Sequence, residues 1–218
     1  MCGIVAVIRR PSGRAVPDLG EVLAALDGAA EVLAGPAGAG LARRMAEVAD
    51  RLEAVDGLLR GSAGLACLLA GGGNNIPGAA GLDPTGGHRH RAVGEVDARA
   101  GSLTARVAAI EVGLDEGVVA VAPELLELTN AALVRLKDVV WAISRDRLGM
   151  ARRVADLMTV PTAGLPTAAA PPTAAPPTAA GAQTAGAALD AWWSIEVALS
   201  ALDRLEVRGR DSAGLHLI

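Results

Sequence analysis

From Leu126 to Leu157 the side chains Leu126, Thr129, Leu133, Leu136, Val140, Ile143, Arg147, Met150, Val154 and Leu157 recur at alternating spacings of three and four. That rhythm puts them on one stripe of a helix, with Thr129 and Arg147 its only polar members. Pro123 is tolerated in a first turn, so the predicted helix runs over 123–158. At 1.5 Å per residue it would be roughly 54 Å long. A helix of that length with one apolar face must bury the face against something.

The chain supplies candidates. Leu41, Met45, Val48, Leu52, Val55 and Leu59 form a second stripe, and Val96, Ala100, Leu103, Val107, Ile110 and Leu114 a third. Asp18 is placed to cap a first helix with Val22, Leu23, Leu26, Val32 and Leu33 as its apolar positions, ended by Gly35-Pro36. Gly61 to Ala70 reads as a Gly/Ala-rich helix, and Gly71 to Arg91 as a loop. These amphipathic segments are expected to pack as an antiparallel bundle, with each Leu, Val and Met on a stripe serving the core. The chain has three Trp and no Phe or Tyr, so that core must be aliphatic and offers few platforms for stacking bases.

Charge narrows the partners. Twenty Lys and Arg against 24 Asp and Glu give a net charge of −4, which argues against a nucleic-acid binder. Two cysteines, Cys2 and Cys67, make no disulfide framework, and a cytoplasmic location is expected. Gly3 to Ile8 is too short for a signal-peptide core, with Arg9 and Arg10 on the wrong side of it. The uncharged stretch Gly61 to Leu82 is broken by glycines, Asn74, Asn75 and Pro77, so no membrane span is expected.

The two ends differ from the middle. Cys2 to Ile8 reads as a short buried strand, broken at Arg10-Pro11-Ser12-Gly13. Residues 159–188 contain no charge and repeat Pro-Thr-Ala-Ala, the composition of an extended linker. Leu189 to Leu205 then reads as a helix with Trp192, Ile195, Leu199, Leu202 and Leu205 inward, and Ala213 to Ile218 as the start of a strand. If Met1 is trimmed, Cys2 carries a thiol beside a free α-amine. With a pKa of about 8, that amine is partly neutral near pH 7 and can take the thiol proton.

Two stretches together carry a resemblance. Cys2-Gly3-Ile4-Val5, and Arg204-Leu205-Glu206-Val207-Arg208-Gly209-Arg210-Asp211-Ser212-Ala213-Gly214, resemble the class II glutamine amidotransferases. These are N-terminal-nucleophile hydrolases, and the match looks most like the glutamine–fructose-6-phosphate aminotransferase (isomerising) group. It covers about 40 of the 218 residues. Asp211 and the Leu205-Glu206 context favour that group over other class II amidotransferases. The resemblance implies that Cys2 attacks the glutamine amide to release ammonia, and that Arg208 and Gly209 line the glutamine pocket. It implies no metal and no cofactor. Glutamine is the implied partner, fructose 6-phosphate enters only through sugar-isomerising domains absent here, and a homodimer would form through the full-length protein.

The implied fold is α+β. A partial N-terminal-nucleophile hydrolase layer (residues 1–10 and 189–218) is interrupted by an inserted helical bundle (11–158) and the linker (159–188). Several family features are missing. Val207 and Arg210 stand where Tyr is common, Ala6 replaces a Gly, and the family's later His-Thr-Arg-Trp-type segment, Asn-Gly oxyanion donors and glutamine-binding Asp have no counterpart. Each lost oxyanion donor costs on the order of 10²–10³ in rate, so the 218-residue chain alone is expected to show little glutaminase activity. The rival expectation is a helical interaction module carrying an idle hydrolase remnant.

Other chemistry-bearing residues carry less. His88 and His90 lack an acidic or Cys partner at metal-like spacing, and Cys67 between Ala66 and Leu68 reads as a small buried hydrophobe. Gly71 to Asn75 lacks the Lys-Ser/Thr of a phosphate loop, and Asp211, Ser212 and His216 lack a nucleophile elbow.

Overall fold

A computed structural model of the chain describes residues 13–35, 38, 40–70, 87–159 and 189–201. These residues form helices: α1 (Leu19–Leu33), α2 (Leu41–Leu59), α3 (Gly61–Ala70), α4 (Gly87–Asp115), α5 (Leu126–Trp141), α6 (Leu148–Thr159) and α7 (189–201). A 3-10 turn, Pro123–Leu125, leads into α5, and a π-helical segment, Ala142–Arg147, joins α5 to α6. No strand occurs among the described residues. The expected α+β class is therefore corrected to an all-α bundle. The reason lies in period: the described residues carry apolar stripes at helical spacing and no two-residue alternation. The strands expected at residues 2–8 and 213–218 lie outside the described residues, as do Cys2, Arg208 and Gly209.

The ends of α1, α2 and α3 have identifiable causes. The Asp18 carboxylate accepts the Glu21 N–H at 3.1 Å, capping α1 four residues before its first buried position, Val22. The α2 stripe is buried as its spacing dictates, from Leu41 through Leu59. Arg14 closes the other end of α2: its guanidinium donates to the carbonyls of Gly57 (2.8 Å), Leu58 (2.5 Å) and Arg60 (2.6 Å). A cation there satisfies orphan carbonyls and suits the negative end of the helix dipole. The chain then turns at Gly61, whose φ of +68° only glycine adopts freely. Gly64 lets α3 lie against the end of α2, since a Cβ there would sit 2.1 Å from the Leu59 carbonyl.

Four helices close a ring, in the order α1, α2, α5, α4 and back to α1. Residue pairings give their sense. Gly28 lies near Arg51 and Gly35 near Arg44, so α1 and α2 are antiparallel. Glu111 pairs with Lys137 and Asp97 with Arg152, so α4 runs against α5 and α6. Asp50, Glu53 and Asp56 meet Arg135 and then Arg147, so α2 and α5 run the same way, as do α1 and α4 through Asp27–Arg99 and Ala30–Arg106. The antiparallel expectation thus holds for the pairs joined by short connections and is corrected for the other two. A short connection forces the chain to reverse; pairs that are distant in sequence carry no such constraint. α3 covers one end of the ring against α2, α4 and α6, and its Leu65, Cys67, Leu68 and Leu69 are all buried.

The helix from Leu126 to Thr159 departs from its expected stripe. Thr129, Leu133, Leu136, Val140 and Ile143 are buried, but Leu126 is half-exposed. The π segment then advances the register: after Ile143 the next fully buried position is Leu148, five residues on, followed by Ala151 and Val154. A plain α-helix would have put Arg147 there. The loop expected through Arg91 is also shortened, because α4 begins at Gly87 and Arg91 bonds Glu95 one turn ahead at 2.9 Å.

Candidate functional site

The residues named for chemistry, Cys2, Arg208 and Gly209, lie outside the described residues, and so do Asp211, Ser212 and His216. What the structure describes is where their neighbouring segments are held. Arg14 is bound to the carbonyls that end α2. α7 lies on the same corner: Trp193 and Val197 face Leu59 and Gly61 across a cavity of about 190 Å³. Arg14 and α7 therefore meet the bundle at one place, the junction of α2 and α3.

The corner is organised by a buried carboxylate. Asp56 is 2% exposed and lies on the inward face of α2. Its Oδ2 accepts from Arg60 Nε at 2.8 Å and Nη2 at 2.5 Å, and its Oδ1 accepts from Arg147 Nε at 2.7 Å. A charge buried there is tolerable because both oxygens are paired. Arg147 forms one wall of the cavity, with Leu65, Leu68 and Met150 nearby. α7 is fixed to α6 by a second such pair, in which Arg153 Nε donates to the buried Glu196 carboxylate and Ser200 donates to the same oxygen at 3.0 Å.

The cavity's chemistry is limited. Its lining is mainly apolar, its guanidinium is already engaged by Asp56, and its volume falls below the roughly 300 Å³ at which ligand pockets begin. No nucleophile or general base lines it. Cys67 is fully buried, and burial pushes its thiol up to about 11, with Asp18 adding to the shift, so it is not a nucleophile near neutral pH. Among the described residues no cluster of His, Cys, Asp or Glu could hold a metal ion, and no helix is long and apolar enough to cross a membrane. His88 and His90 fall in the first turn of α4.

Sequence reasoning missed Arg14, the Asp56–Arg147 pair and the Arg153–Glu196 pair. One of them had a signal. Arg147 interrupts an otherwise apolar stripe, and an Arg on such a stripe calls for a buried carboxylate. Arg14 had none, since capping from 43 residues away leaves no local pattern. No family model, curated protein or solved structure matches the chain.

Proposed function

We propose that the chain is the glutamine-hydrolysing portion of a glutamine amidotransferase, most like the glutamine–fructose-6-phosphate aminotransferase (isomerising) group, with little turnover by the 218 residues alone because the oxyanion donors have no counterpart in them. In this reading the Cys2 thiol loses its proton to the α-amine freed by removal of Met1. The thiolate attacks the side-chain amide carbon of glutamine, the C–N bond breaks, and ammonia leaves with that proton. Water then cleaves the thioester to glutamate and restores the thiol. Arg208 and Gly209 line the pocket beside Cys2. The ammonia goes to fructose 6-phosphate in sugar-isomerising domains, and the setting is the cytoplasm.

The observation that supports this reading is the shared corner. A segment inserted into a domain must return close to where it left, as chain ends at insertion points do. Arg14 and α7 reach the bundle at one junction, which suits a helical insertion between two halves of one motif set. The rival reading, a helical interaction module, draws its support from the outer face of α5.

Two measurements test the proposal. Intact mass should show Met1 removed; its retention would remove the base and sink the mechanism. A glutamine analogue with an electrophilic carbon in place of the amide should alkylate Cys2, competed by glutamine and lost in Arg208→Ala. Labelling indifferent to glutamine would reject the pocket. Reading the coding DNA past the codon for Ile218 separates the readings: continuation into oxyanion donors favours the enzyme, and a stop codon favours the module.

A further inference from the structure

The face of α5 turned away from the ring is a second heptad stripe. Glu127, Ala131, Val134, Asp138, Trp141 and Arg145 follow one another at spacings of four, three, four, three and four, and all six are exposed. Arg135 is tied sideways to α2 through Glu53 and Asp50, and Lys137 to α4 through Glu111, so the stripe points away from both neighbours. Val134 is 58% and Trp141 57% exposed, flanked by Leu126 at 51% and Leu128 at 61%. A solvated helix face has no need of these side chains, and a run of them marks a contact surface. Trp is the residue type most enriched at binding hot spots. The rare π segment begins directly after Trp141 and carries Arg145, and such segments concentrate at functional sites.

The order of residues identifies the occupant. Laid against itself in reverse, with a two-fold axis between Val134 and Asp138, the stripe is complementary at its two outer pairings. Glu127 meets Arg145 of the second copy, Ala131 meets Trp141, and Val134 meets Asp138; each contact occurs twice by symmetry. The smallest apolar side chain receives the largest, as knobs-into-holes packing requires. Parallel pairing would instead set Glu on Glu, Trp on Trp and Arg on Arg. Glu127 and Arg145 form no ion pair among the described residues, so both charges are available.

We propose that α5 is the seam of an antiparallel homodimer. The seam covers about 27 Å of helix. One helix pair falls short of the roughly 800 Å² per partner of a standard interface, so the dimer exchanges with monomer and depends on concentration. The proposal is independent of the amidotransferase reading, because its experiment reads mass rather than thiol chemistry.

Sedimentation velocity of the full chain from about 10 µM to about 1 mM should show monomer giving way to dimer. Trp141→Lys should weaken the dimer at least about 10-fold with unchanged helicity, since its site is exposed. Glu127→Arg and Arg145→Glu should each do the same, and the double exchange should restore association to within about 3-fold. That rescue cannot arise within one chain, where the two positions lie about 27 Å apart. A chain that stays monomeric throughout, a dimer indifferent to Trp141→Lys, or a double exchange without rescue would each overturn the proposal.

Discussion

Asp56 joins two elements through opposite faces of one carboxylate, holding Arg60 at the end of α2 and Arg147 in the π segment. Arg147 is itself largely covered, so removing the acid strands a guanidinium. Asp56→Ala should lower stability by about 3 kcal/mol, toward the bottom of the range for breaking a buried pair because Arg60 is solvated. Urea unfolding would measure it, and a loss under about 1 kcal/mol would show that solvent already screens the pair. At this scale the sequence was partly readable. Asp18 announced its cap, and Arg147 stood out only as a polar member of its stripe. Which acid pairs with it was hidden, because Asp56 lies 91 residues away and follows Val55 as one more charge on a charged helix.

Among the elements, α2 was legible throughout, because its stripe keeps one phase from Leu41 to Leu59. The helix after Pro123 was legible only as far as Ile143. Its apolar residues fit an uninterrupted period almost as well as the re-phased one, since Met150 and Val154 lie near both. Packing chose the register that buries Leu148 and Ala151. Glycine use at the α2–α3 turn was equally silent in the sequence, where Gly61 and Gly64 are two glycines in a Gly-rich run. Gly64→Ala would force its new methyl onto the Leu59 carbonyl, which is backbone and cannot swing aside. We expect about 2 kcal/mol of destabilisation, the scale of an overpacked core, and thermal unfolding at the wild-type temperature would refute the close approach.

For the whole molecule, the ring and α7 differ in how deeply they are held. α2 buries eight side chains, whereas on α7 only Glu196 is buried. Local openings follow that difference. In native-state hydrogen exchange, the amides of residues 189–201 should open about 2 kcal/mol or more below those of α2. Equal protection would mean that α7 and the ring unfold as one unit. That contrast would let the segment leading to Arg208 detach while the ring stays closed. Helical architecture was legible at this scale, the function proposed for the ends rests on resemblance alone, and the overall class was misassigned because two terminal motifs outweighed the helical middle. The aliphatic interior has one last consequence. Trp141 is exposed, while Trp192 and Trp193 sit on α7 and are only partly covered. The ring's buried core therefore contains no aromatic chromophore, and near-ultraviolet circular dichroism sees only its periphery. Loss of that signal with far-ultraviolet ellipticity retained is the usual mark of a molten globule. In this protein it would report that α7 had let go of an intact bundle.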